Sequence, residues 1–204
     1  ERESMAKVIS SEGCVAAGKT SLANYFSYES KIGKVLEEYH RHPFLKEFYE
    51  GLDVNLETEA TFLLIHRSQL KKTIRSCKDA FIFTDFSIEK DLVYARLNLN
   101  NEELKVFENI YNYVIQEVGI PHVVIYMDLS LKVLRRRIFQ RGRPYEMNAD
   151  VKYFKGYNDK VREYFKNESK SKVYFFDVDD LELDPNNKKL SQIRNTVFEV
   201  TRES

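Results

Sequence analysis

The sequence predicts a three-layer α/β domain built on a central five-stranded parallel sheet. Strand-like runs alternate with helix-period stretches of ten residues or more, the pattern of strand–helix–strand units with right-handed crossovers. Most of the runs are nearly continuous in apolar character rather than alternating, as expected of strands covered on both faces. No Ser/Gly/Pro-rich linker, repeat or low-complexity tract divides the 204 residues, so 1–204 reads as one domain, with residues 1–4 ahead of Met5 extraneous to it.

The expected strands are Lys7–Ser10, Gly33–Leu36, Ala80–Thr84, His122–Asp128 and Lys172–Asp177. A helix is expected from Ser21 through Phe26. A second runs over Leu56–Arg75, with Phe62, Ile65 and Leu70 near one stripe. A third covers Asn101–Val118, opened by Asn100 or Asn101 as cap with Glu103 in the first turn, and stopped by Gly119 and Pro121. Leu129–Arg141 is a fourth, ended by Gly142 and Pro144.

Composition removes several function classes. Lys+Arg and Asp+Glu both total 32, so the basic excess of a phosphate-gripping nucleic-acid binder is missing. The longest apolar stretch, Val123 to Met127, falls far short of the ~20 residues of a membrane span. No apolar signal region opens the chain, and a cytoplasmic location is expected. Cys14 and Cys77 make neither a disulfide framework nor a zinc site, and the four histidines have no metal-ligand spacing, so no transition metal is expected.

Gly13-Cys14-Val15-Ala16-Ala17-Gly18-Lys19-Thr20 fits G-x-x-x-x-G-K-[ST] at every fixed position. An apolar strand precedes it and a helix follows, so backbone N–H groups from Gly13 through Ser21, including those of Ala16 and Ala17, can cradle nucleotide phosphates. Lys19 adds a point charge for the outer phosphates, and the Thr20 hydroxyl suits Mg²⁺. Cys14 is expected to be filler. The Asn-Lys-x-Asp motif of guanine readers does not occur. Arg135, Arg136, Arg137, Arg141 and Arg143 instead crowd one helix end, with Arg137 and Arg141 on one face and Arg143 beyond a glycine. An arginine lid of that kind shields a phosphoryl group in flight and spreads its charge. The architecture is therefore a P-loop kinase type.

Four pieces in order resemble the deoxynucleoside kinases, most closely their bacterial deoxyadenosine/deoxyguanosine branch, over about Lys7 to Tyr164. They are the phosphate loop; Glu37-Glu38 followed by His42-Pro43-Phe44-Leu45-Lys46-Glu47-Phe48-Tyr49; Thr84-Asp85-Phe86-Ser87-Ile88-Glu89-Lys90-Asp91; and Arg141-Gly142-Arg143-Pro144-Tyr145-Glu146. The resemblance implies an ATP- and Mg²⁺-dependent enzyme that phosphorylates the 5′-hydroxyl of a deoxynucleoside. It implies Glu37 as the proton-accepting carboxylate, Tyr49 and Glu146 on the sugar 3′-hydroxyl, Asp85 beside Thr20 on the metal, and Arg67 and Asp91 near the base. Arg137, Arg141 and Arg143 then form the lid, and pairing through long helices implies a homodimer, with Phe107, Ile110, Tyr111 and Val114 as a candidate face.

The chain departs from that pattern twice. Phe86 stands where many members carry arginine, and would make a flat apolar wall suited to a purine. A base-reading glutamine would fall at Ala60, with Thr58, Glu59 or Thr61 as substitutes. Two rivals remain open at this point. One is a nucleoside monophosphate kinase or other small-molecule P-loop kinase, using Arg41, Arg67, Arg75 or Arg96 for an acceptor phosphate. The other is a nucleotide-binding, catalytically silent partner subunit.

Overall fold

The computed structural model describes residues 6–30, 32–142 and 151–202. Arg143 and Glu146 lie outside the described residues. Five strands, β1 (Lys7–Gly13), β2 (Gly33–Val35), β3 (Phe81–Thr84), β4 (Val123–Asp128) and β5 (Lys172–Asp177), pair in the order β2-β3-β1-β4-β5. Every pairing is parallel, with Ile9 opposite both Phe83 and Val123. The helices are α1 (Lys19–Glu29), α2 (Leu45–Tyr49), α3 (Asn55–Ser76), α4 (Ile88–Asn98), α5 (Asn101–Val118), α6 (Leu131–Arg141), α7 (Val151–Asn167) and α8 (Lys188–Arg202).

Successive residues of a strand point to opposite faces, so each central strand feeds two cores. Ile9, Phe83, Ile125 and Met127 meet Leu22 and Phe26 of α1, Ile138 of α6 and Ile193 of α8 on one face. On the other, Val8, Ile82 and Phe86 meet Leu63 and Leu70 of α3, Leu92 of α4 and Phe107 of α5. Tyr126 packs with Val161 and Phe165 of α7. Coverage on both faces holds for β1, β3 and β4 but not for β5, an edge strand whose Phe175 is exposed.

The α5 helix opens on the expected cap: Asn100 accepts from the N–H groups of Glu102 and Glu103 while Glu103 accepts from Asn100 N–H. Four helices are additions to the sequence reading: α2, α4, α7 and α8. The expected helix over 129–141 starts at Leu131, with Ser130 as its cap. The face formed by Phe107, Tyr111 and Val114 is buried in the core and cannot pair two copies. Val106 and Tyr113 are the exposed apolar side chains of α5.

Candidate active site

The carboxyl ends of β1 and β3 release their chains to opposite faces, which opens a crevice where α/β sheets place their ligands. Gly13 ends β1 with φ 143°, and a Cβ there would stand 2.5 Å from the Met127 carbonyl oxygen, so only glycine fits. The loop then turns through Ala16 at φ 59° and Gly18 at φ 101° into α1. The buried Glu12 carboxylate accepts from Gly13 N at 2.9 Å and from Ser87 N at 3.1 Å, tying the loop to the start of α4. Lys19 arches over the loop and donates to the Gly13 and Cys14 carbonyls at 2.8 and 2.9 Å. Burial pushes the Cys14 thiol up to about 11 despite Lys19, so it is inert filler.

A cavity of about 1100 Å³ runs from this loop between α2, α3, α4 and α7. Gly13, Ala16, Ala17, Gly18, Lys19, Thr20 and Ser21 line one end. Thr20 donates its hydroxyl to Asp85 Oδ2 at 2.6 Å, and Asp85 Oδ1 accepts from Glu37 N at 2.7 Å. One carboxylate thus couples the phosphate loop to the segment carrying Glu37. Asp85 follows the last residue of β3, and Glu37 lies two residues beyond β2 rather than at its end.

Glu37 Oε1 lies 3.3 Å from His66 Nε2 and 3.4 Å from Lys90 Nζ. Burial would raise its pKa, but the Lys90 ammonium and the adjacent His66 ring outweigh that and hold the carboxyl well below the usual range. Tyr49 is in the cavity wall, as are Arg137 and Arg141. Arg137 donates to the Ala17 carbonyl at 3.0 Å and to Val178 O at 2.9 Å, fixing α6 against the phosphate loop.

Three expected base contacts come out differently. Phe86 is 1% exposed and does not border the cavity; its ring lies against His66 in the core. Arg67 turns away toward α5, where Glu117 accepts from its Nε at 2.7 Å. Adjacent helical residues point about 100° apart, so His66 facing the cavity side sends Arg67 elsewhere. Asp91 borders the cavity, but its Oδ2 accepts from His66 Nδ1 at 2.8 Å. Ala60 is also off the wall, whereas Thr58, Glu59 and Phe62 are on it. Arg41, Arg67, Arg75 and Arg96 all lie off it, and three of them pair with Glu38, Glu117 and Glu168, so none offers an acceptor-phosphate site.

Sequence reasoning did not single out Glu12, His66 or Lys90, and left Glu59 as one of several substitutes. The available signal was periodicity: Thr58, Glu59, Leu63, His66, Leu70 and Ile74 make up the buried stripe of α3, and two of the six are ionisable. Glu59 accepts from Asn98 Nδ2 at 2.7 Å, and Tyr157 donates to Asn98 Oδ1. Burial, against the lowering effect of the Asn98 hydrogen bond, pushes the Glu59 carboxyl up to about 7. A group whose pKa is raised on folding contributes stability that is complete below the unfolded value of about 4.5 and lost as pH rises through about 7. Thermal melts across pH 4 to 8 are expected to show Glu59→Gln without that loss, the difference from the parent sloping by at most about 1.4 kcal/mol per pH unit.

The sequence profile of the family described as "Deoxynucleoside kinase" matches residues 9–202. The chain belongs to the deoxynucleoside kinase family. Membership makes it a phosphotransferase. Among curated relatives, the deoxyguanosine kinase of Bacillus subtilis is 30% identical over 151 residues, 72% of this chain and 73% of that one. The Bacillus subtilis deoxyadenosine/deoxycytidine kinase is 22% identical over 205 residues, 97% of this chain and 94% of that one. A solved deoxyadenosine kinase from M. mycoides with bound dATP superposes with a TM-score of 0.75 at 21% identity, over 94% of this chain and 99% of that one. That likeness places this deoxynucleoside kinase in the P-loop kinase fold.

Proposed function

We propose that this deoxynucleoside kinase transfers the γ-phosphoryl group of ATP to the 5′-hydroxyl of a deoxyribonucleoside, with a purine favoured, as one domain acting in the cytoplasm. The observation that carries this reading is the Asp85 bridge, which brings Thr20 of the phosphate loop and the Glu37 segment to one cavity. Glu37, held as a carboxylate, accepts the hydroxyl proton as the new P–O bond forms and the bond to ADP breaks. Lys19 and the lid arginines Arg137, Arg141 and Arg143 spread the charge of the phosphoryl group in flight. Thr20 and Asp85 present hard oxygen donors side by side, a donor set that suits Mg²⁺, and would hold the ion beside the nucleotide phosphates. Bound there, the ion supplies neutralisation of phosphate charge.

Tyr49 and Glu146 would meet the sugar 3′-hydroxyl. For the base, Phe62 offers an aromatic face on the cavity wall, and Glu59, Asn98 and Tyr157 form a polar strip beside it. A neutral Glu59 carboxyl carries both a donor and an acceptor, as an amide does. The naming of the Bacillus subtilis relative as a deoxyguanosine kinase supports a purine acceptor. A homodimer using exposed Leu64, Val106 and Tyr113 on α3 and α5 belongs to the same reading.

A phosphorylation panel tests it: the four deoxynucleosides, their ribose counterparts and their monophosphates, each with ATP and Mg²⁺. Deoxyadenosine or deoxyguanosine is expected to lead by at least tenfold in kcat/KM. Preference for thymidine or deoxycytidine would remove the purine assignment, and turnover of monophosphates alone would remove the nucleoside acceptor.

A further inference from the structure

Phe86, the residue that departs from the resemblance, has a partner in the core: His66. Its buried ring lies flat under the His66 imidazole, centroids 4.0 Å apart and planes 12° apart. His66 is fully buried, and its two nitrogens end on two carboxylates: Nδ1 at 2.8 Å from Asp91 Oδ2, Nε2 at 3.3 Å from Glu37 Oε1. Arginine at position 86 would have brought a cation to this place; phenylalanine brings a flat seat for an imidazole.

We propose that His66 is a positioning residue for Glu37, locked by Asp91 and Phe86 so that it fixes the Oε1 edge of the carboxylate and leaves Oε2 for the acceptor hydroxyl. The proposal rests on the reading of Glu37 as the proton acceptor. Oε1 of Glu37 takes both the hydrogen bond from Lys90 and the approach of His66 Nε2. The two cations are not equivalent. Lys90 reaches Oε1 on a four-carbon stem, whereas the imidazole is held by the Asp91 hydrogen bond at Nδ1 and by Phe86 across its face, and so presents Nε2 to the carboxylate from a fixed place. Charged and titratable groups meet His66 from each element packed on it: Glu37 and, farther off, His42 from the segment after β2, Asp91 and Lys90 from α4. Burial opposes its protonation, but Asp91 and Glu37 outweigh burial and raise its pKa to about 9. The ring is therefore an imidazolium at neutral pH, and its charge is lost as pH rises through about 9. The same contact takes Asp91 Oδ2 away from the base edge.

The test is steady-state kinetics of the full chain with the best deoxynucleoside, across pH 6 to 10, for the parent, His66→Ala, His66→Gln, Glu37→Gln and the His66→Ala/Glu37→Gln pair. Thermal melts establish that each variant is folded. His66→Ala is expected to lower kcat ten- to a hundredfold with KM for ATP within about twofold. His66→Gln, whose amide can donate to Oε1, is expected to recover part of that loss and to lack the alkaline fall of kcat near pH 9 expected of the parent. If His66→Ala does not fold, the His66→Gln profile decides alone. In the Glu37→Gln background His66→Ala should cost nothing further, because the two act through one carboxylate. Parent-like kcat in His66→Ala, or an alkaline fall unchanged in His66→Gln, would overturn the proposal. Full activity of Glu37→Gln would instead overturn the underlying reading, so the two failures are told apart.

Discussion

Lys19→Ala is expected to lower kcat by about 10²–10³-fold while the protein stays folded. The ammonium stands over the phosphate loop, where under the proposed function its charge would meet the phosphoryl group as negative charge spreads in the transition state. Its own protein partners are two loop carbonyls, those of Gly13 and Cys14, which water can serve after truncation. The core under the loop rests on Leu22, Ala23 and Phe26 of α1, which the substitution leaves alone. Kinetics paired with a thermal melt check this: a melting temperature within a few degrees of the parent and a collapsed kcat. A folded variant with unchanged turnover would remove Lys19 from the chemistry.

Glu37→Gln is expected to be as severe, with kcat down about 10²–10⁴-fold and nucleoside KM little changed. Glutamine keeps the length and shape of the side chain and can still touch the acceptor hydroxyl, but cannot take its proton at neutral pH. Glu38, next in sequence and also on the cavity wall, is the control. Its Oε2 is engaged by Arg41 at 2.5 Å, so Glu38→Gln should leave kcat within a few-fold. The reverse outcome, a silent Glu37→Gln and a dead Glu38→Gln, would move the proton acceptor by one residue.

The central strands were legible because strands buried on both faces write themselves as short continuous apolar runs, as in Val123 to Met127, whereas the edge strand β5 was legible from its β-branched and aromatic residues. The phosphate loop was legible because its residues are contiguous. The α4 helix was hidden by its own first turn: Glu89, Lys90 and Asp91 look like a solvated stretch, yet Glu89 and Asp91 are buried. Glu89 takes hydrogen bonds from Ser169 and Ser171 across the start of β5, and Asp91 holds His66. Partners separated by tens of residues leave no local trace.

The resemblance put residues in the correct neighbourhood but could not say where their side chains point. Arg67 and His66 are neighbours on α3, yet one faces Glu117 of α5 and the other Asp91 of α4 and Glu37. Phe86 follows Asp85 directly, and the alternation at the end of β3 sends one toward Thr20 and the other into the core. Histidine without metal spacing read as unremarkable, whereas His66 is the one that touches Glu37. Glu59 and His66 on a largely apolar stripe were the clue to both.

One cavity joins the phosphate loop to Glu37, an arrangement proposed above to pass a γ-phosphoryl group to a nucleoside 5′-oxygen. The most direct measurement of that transfer follows the label from γ-³²P ATP after incubation with the purified chain, Mg²⁺ and deoxyguanosine or deoxyadenosine, with product identified by chromatography against 5′- and 3′-monophosphate standards. Label in the 5′-monophosphate, matched mole for mole by ADP, is the predicted result. Label released as inorganic phosphate at the same rate with and without nucleoside, or found on the 3′-oxygen, would contradict it.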